Sequence, residues 1–170
     1  MADELADEIL YGRDHDHARI FISSKMDGSL DAERIRSAEA INSLDAHKPW
    51  WWEADAPAGV LHSENECVKF AATSDGLILL IAGDLSRIIY SEYAAAENSD
   101  AERYIFIRDE SVIPEGVRSF IAEKRNTVVT LNFRNIAELE THIYQSLNRT
   151  AVRALRQAQI ERQKRRGAKP

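Results

Sequence analysis

The segment RIIYSEYAAAE, residues 87–97, has helical period and carries a carboxylate within its apolar stripe. Ile88 and Ile89 precede Glu92 by four and three positions, and Ala95 and Ala96 follow it by three and four. Those spacings share one helical face. An ionised carboxylate buried without partners is costly. Glu92 is therefore either a rim residue with its stem packed and its head in water, or a charge that the fold holds for chemistry. SSKMDG, residues 23–28, offers the hydroxyls of Ser23 and Ser24 and a run of backbone N–H groups at a strand-to-helix turn. Such turns cradle phosphate or ribose oxygens; the plainer reading is a polar turn with a helix cap. In WWWE, residues 50–53, strand alternation puts Trp50 and Trp52 on one face and Trp51 on the other. This is aromatic packing against helices on both sides, or, at its end, a Trp52 indole to stack on a base and a Glu53 carboxylate to hydrogen-bond a sugar.

Other reactive groups point nowhere definite. His47, His62 and His142 are isolated, and the metal-capable DHDH at 14–17 lies in an acidic leader ahead of the first strand. Cys67 is the single cysteine, which excludes an internal disulfide framework and a multi-cysteine zinc site. It reads as a small core hydrophobe. G-x-G-x-x-G, G-x-x-x-x-G-K-[ST] and G-x-S-x-G are all missing. Classical dinucleotide folds, P-loop NTPases and α/β-hydrolases are thereby unsupported.

The elements that must position these residues alternate. ARIFISS (18–24), KPWWWEA (48–54), DGLILLIAG (75–83), RYIFIRD (103–109) and TVVTLNF (127–133) read as strands, and DGLILLIAG, the most apolar, as the central one. LDAERIRSAEAINSL has Ile35, Ala38 and Ile41 on one helical face. HSENECVKFAATS opens with Ser63 and Glu66 at capping-box spacing. The Glu92 helix follows the central strand, and a short helix over 114–124 starts at Pro114. A final helix carries the stripe Ile136, Leu139, Ile143 and Leu147. Apolar strands alternating with helices predict a parallel sheet covered on both faces, an α/β flavodoxin-like three-layer sandwich of order 2-1-3-4-5. Ligands in such folds bind at the switch point beyond strands one and three. Ser23, Ser24, Gly83 and Asp84 fall there, with Ser91 beside Glu92; Asp75 lies at the opposite end of its strand and reads as a turn or cap residue.

A length of 170 residues suits one domain, here 18–150, with 1–17 an acidic leader and 151–170 a basic helical tail. No apolar run approaches the roughly 20 residues of a membrane span, and the start MADELADEIL is not a signal peptide. A reducing cytoplasm is the expected setting. The net charge of −6 conceals an asymmetry: Asp3, Glu4, Asp7, Glu8, Asp14 and Asp16 open the chain, whereas VRALRQAQIERQKRRGAKP has Glu161 as its one acid. The tail is a surface for nucleic acid, anionic lipid or an acidic partner, or a solvated helix end.

IFISSKMDGSLDAERIRSAEAI, PWWWEADAPAG, ECVKFAATSDGLILLIAGDLSRIIYSEYAAA and RYIFIRD, in that order, resemble a bacterial TIR-like domain found N-terminally on STAND NTPases and other defence proteins. The likeness covers residues 18–109 well and the remainder by topology. The wider superfamily includes TIR NAD-hydrolases and nucleoside 2-deoxyribosyltransferases, which cleave N-glycosidic bonds with a glutamate in the helix after strand three. The resemblance implies that Glu92 contacts the ribose and stabilises an oxocarbenium-like transition state or attacks it. It implies that Ser23 and Ser24 line the ribose–phosphate side, that the loop from Ala54 to Leu61 gates the site, and that Glu33–Arg34 matches the family's acidic–Arg pair. The stretch between Asp84 and Glu92 lacks the Gly-Thr-rich approach of the deoxyribosyltransferases, so transfer between bases is the weaker version. The expectation is an N-glycosidase using NAD as substrate without a cofactor or metal, either stand-alone or regulated in trans. Its expected partners are a nucleotide and a second copy or regulatory protein, with no membrane and nucleic acid ranked last. A self-associating TIR-like module without catalysis is the alternative.

Overall fold

The computed structural model describes residues 13–51, Asp55 and residues 63–167. Their elements run β1 (Ala18–Ser23), α1 (Asp31–Asn42), β2 (His47–Trp50), α2 (Ser63–Ala72), β3 (Gly76–Ile81), α3 (Arg87–Asn98), β4 (Glu102–Arg108), α4 (Glu115–Lys124), β5 (Thr130–Phe133) and α5 (Ile136–Gly167). The five strands form one sheet in the order β2-β1-β3-β4-β5, and every pairing is parallel. This is the flavodoxin-like α/β arrangement that the alternation of apolar strands and helices predicts.

Each central strand sends alternate side chains to two cores. Leu77, Leu79 and Ile81 join Ile105, Ile107 and the inner faces of α2, α3 and α4. Ile78 and Leu80 join Tyr104, Phe106, Phe133 and the inner faces of α1 and α5. All six residues of β3 are buried, as a strand covered on both faces must be. Gly76 begins it where a Cβ would sit 3.0 Å from Ile20 Cδ1 and 3.4 Å from the Glu102 carbonyl oxygen. Below the sheet, Asp75 accepts hydrogen bonds from Arg13 Nη1 and the Arg19 backbone N–H, both at 2.8 Å. It fastens the amino-terminal edge, away from the ligand edge.

Several boundaries differ from the sequence expectation. β2 ends at Trp50 rather than Ala54: the Trp51 N–H donates to Asp55 Oδ2 at 2.8 Å, and Asp55 N–H returns to the Trp51 carbonyl at 3.1 Å. β5 begins at Thr130 rather than Thr127, because the N–H groups of Thr127 and Val128 bond back to the Lys124 carbonyl and prolong the turn of α4. Ile35 is 44% exposed, whereas α1 buries Arg34, Ser37, Ala38 and Ile41. The inner face of that helix is rotated by one residue from the Ile35 face. The final helix and the tail are one continuous α5, anchored by Leu139, Ile143 and Leu147 and by Tyr104 Oη donating to Thr150 Oγ1 at 2.8 Å. From Ala151 to Gly167 every residue is exposed. No helix among the described residues is long and apolar enough to cross a membrane.

Stability is therefore unevenly distributed. Leu79→Ala is expected to lower unfolding free energy by about 2–5 kcal/mol. Removing residues 154–170 should change it by less than about 1 kcal/mol. Urea unfolding of the two variants checks the contrast, and a tail deletion as damaging as the core substitution would refute it.

Candidate active site

The switch point lies where β1 and β3 separate into α1 and α3. Ser23 is the last residue of β1, and Glu92 lies in the second turn of α3, so the crossover brings the two together across the end of the sheet. Ser23 Oγ donates a hydrogen bond to Glu92 Oε2. Glu92 is only 6% exposed. The Cys67 thiol, from the facing side of α2, supplies the same carboxylate with a second donor. These residues line a cavity of about 230 Å³ that also holds Ser24, Arg34 and Ser86. Its apolar wall is formed by Phe21, Trp50, Ile88 and Ile89.

Burial is the dominant electrostatic influence on this carboxylate. It raises the Glu92 pKa from an ordinary 4.5 to about 7, against the opposing hydrogen bonds from Ser23 and Cys67. Near neutral pH Glu92 is thus poised between its two protonation states. The Cys67 thiol is pushed up to about 12, first by its own burial and then by the negative charge of Glu92. At neutral pH it is a hydrogen-bond donor and not a thiolate nucleophile.

Two further groups face the cavity. Ser24 is 8% exposed, and its Oγ has no hydrogen-bond partner among the described residues. A buried hydroxyl left unpartnered is rare and points to a ligand or solvent atom. Arg34 is 5% exposed; its Nη1 donates to the Lys25 carbonyl at 3.3 Å and its Nη2 lies 3.3 Å from Asp31 Oδ1. A guanidinium on the wall of a small cavity favours an anionic ligand.

Of the residues picked out in the sequence, Ser23, Ser24 and Glu92 converge here. Gly83 and Asp84 do not line this cavity. They border a neighbouring hollow of about 150 Å³ with Lys25, Asp27 and Ser29, and Asp84 Oδ1 accepts the Leu85 N–H at 2.9 Å. Ser91 points elsewhere: its Oγ donates to the Arg87 carbonyl at 3.2 Å, one helical turn back. Trp52 and Glu53, with the loop from Ala54 to Leu61 apart from Asp55, lie outside the described residues. Trp50, by contrast, packs between Phe21 and Phe70, with ring centroids 4.9 and 4.5 Å away, and presents an edge to the cavity. Arg34, read from the sequence only as part of an acidic–Arg pair, and Cys67, read as a small core hydrophobe, also line the cavity. Arg34 had a signal, since it shares the inner stripe of α1 with Leu30, Ser37, Ala38 and Ile41, as Glu92 does on α3. Cys67 had none, because a buried cysteine on a helix looks the same whether or not a carboxylate faces it.

Among the described residues no three His, Cys, Asp or Glu side chains are grouped to hold a metal ion. No protein-family model and no curated protein matches the chain. Solved structures with a similar course of strands and helices include the metal-soaked flavodiiron core from Synechocystis sp. PCC6803, at 12% identity and a TM-score of 0.47. The match covers 79% of this chain and 37% of that one. Another is the flavodoxin-like domain of a Synechococcus sp. protein, at 15% identity and a TM-score of 0.45, covering 76% of this chain and 99% of that domain.

The raised pKa carries a consequence for stability. Between about pH 4.5 and 7 the native state holds a proton at Glu92 that the unfolded chain has released. The contribution is fully present below pH 4.5 and is lost as pH rises through 7. Relative to Glu92→Gln, the wild type should lose about 3 kcal/mol across that interval. Denaturant unfolding of both proteins from about pH 4.5 to about pH 8 measures it. A constant difference between them would refute the assignment.

Proposed function

We propose that this chain is a TIR-like N-glycosidase that hydrolyses NAD, or a related nucleotide, at the bond between base and ribose. The observation that carries the reading is a nearly buried Glu92 beside an open cavity at the switch point of the sheet, with its ionisation poised near neutrality. In the proposed reaction the C1′–N bond breaks heterolytically. The electron pair goes to the pyridinium nitrogen, nicotinamide leaves uncharged, and positive charge develops on C1′ and the ring oxygen. Ionised Glu92 stabilises that charge or adds to C1′, and water then completes ADP-ribose with release of one proton. A cationic pyridinium ribosyl group entering the cavity would itself favour the ionised carboxylate.

The remaining residues have matching chemistry. Ser23 and the Cys67 thiol hold the carboxylate in one orientation, which lessens reorganisation in the transition state. The unpartnered Ser24 hydroxyl suits a ribose or phosphate oxygen, and Arg34 suits a phosphate. The cavity of about 230 Å³ is below the roughly 300–1,000 Å³ common for ligand sites. It suits the ribosyl portion of a dinucleotide and not the whole molecule. A second reading, a non-catalytic TIR-like module that self-associates, draws on the exposed end of α5, where Val152, Leu155 and Ile160 face solvent.

Incubation with NAD and assay of released nicotinamide tests the first reading. Glu92→Gln is expected to lower kcat by about 10²–10³. The wild-type rate should rise with pH through about 7 as Glu92 ionises. Equal turnover by the two proteins would overturn the assignment, and concentration-dependent light scattering without any turnover would favour the second reading.

A further inference from the structure

A second cavity, of about 360 Å³, lies at the carboxyl ends of β4 and β5 between the sheet and α4. Its floor is apolar: Ile107 and Ile121 are buried, and Ile113 packs against the same core. Its polar lining is Ser111, Arg118, Arg125 and Asn132, and its two charged groups are both guanidiniums. Arg118 on α4 and Arg125, the residue that caps its carboxyl end, are seven residues apart, about two helical turns. Neither has a carboxylate partner among the described residues. Arg118 is solvent-exposed, and Arg125 is steered by donation from its Nε to Thr130 Oγ1 at 2.8 Å. The Ser111 Oγ is enclosed and has no hydrogen-bond partner among the described residues. The adjacent Glu110 takes the left-handed backbone conformation, φ 60°, that a non-glycine residue adopts only at a cost. Asp109, at the end of β4, accepts a hydrogen bond from Asn132 Nδ2 at 2.8 Å, and neither it nor Glu110 lines the cavity.

We propose that this cavity binds a phosphate monoester carrying an apolar ring or chain, at a site separate from the Glu92 cavity. Two guanidiniums without carboxylate partners match a dianion and would leave a monoanionic carboxylate under-compensated. Their planar forks pair with phosphate oxygens two at a time. The Ser111 hydroxyl donates to a third oxygen, and the isoleucine floor takes the organic portion. The location agrees with the tendency of parallel α/β sheets to bind ligands beyond the carboxyl ends of their strands. None of its lining residues belongs to the Glu92 cavity, so this proposal stands or falls independently of the N-glycosidase reading.

The test is titration of the full ¹⁵N-labelled chain with phenyl phosphate, followed through backbone amide resonances, with phenol as the uncharged control. Saturable shifts are expected at Ile107, Ser111, Ile113, Ile121 and Asn132. Arg118→Ala/Arg125→Ala, two exposed changes that leave the core intact, should weaken binding by at least about tenfold. Phenol should produce no comparable saturation. The proposal is overturned if the double variant binds phenyl phosphate as the wild type does, if phenol matches it, or if the shifts cluster only around Ser24 and Glu92 or are absent.

Discussion

Strand β3 has no face toward water. Its six residues are buried from both sides and its backbone is paired to β1 and β4. A strand of this kind is stable only if helices cover it above and below. Right-handed crossovers then carry the chain to opposite faces, α1 to one and α3 to the other. The carboxyl ends of β1 and β3 are left as a gap where the two connections part. The position of the Ser23–Glu92 contact is a consequence of that demand, as is the cavity beside it. Burial of the central strand sets the place of the candidate site as well as the fold.

The gap is lined by groups that a purely structural solution would avoid. Glu92 and Arg34 each occupy an inward helix position, and the Ser24 Oγ has no hydrogen-bond partner among the described residues. Burying charge is unfavourable unless it is paired. The Ser23 and Cys67 donors offset part of that for Glu92, yet its pKa still rises to about 7. Buried charged and polar groups clustered at one cavity, one of them with a strongly shifted pKa, mark a candidate functional site. The second cavity differs in character, because its arginines stand on an exposed helix face and burden the core little.

Much of this architecture is legible in the residues alone. DGLILLIAG reads as a doubly covered central strand, and IAELETHIYQSL displays its stripe at regular helical spacing. Ends were less legible because they depend on local hydrogen bonds. The Trp51–Asp55 pair closes β2 early, and the carbonyl of Lys124 captures two N–H groups that an extended β5 would have used. On α1 Ala38 and Ile41 face inward as their spacing predicts, but Ile35 does not, and the helix turns Arg34 inward instead. Propensity sees hydrophobicity; it does not see a cavity that rewards a guanidinium.

By itself the sequence determined the alternation of strands and helices, hence the sheet order and the end of the sheet at which the switch point lies. It also showed a carboxylate in an apolar stripe and two serines at the end of the first strand. Tertiary structure decided which of these meet. Ser23 and Glu92 are 69 positions apart, and only the parallel crossover places hydroxyl against carboxylate. The same crossover directs Arg34 and Cys67 into the cavity, while Ser91 turns back to its own helix and Gly83 and Asp84 border a different hollow. Periodicity specifies the face a residue occupies. What stands opposite that face, and how far burial moves its pKa, is set by packing between elements distant in the chain.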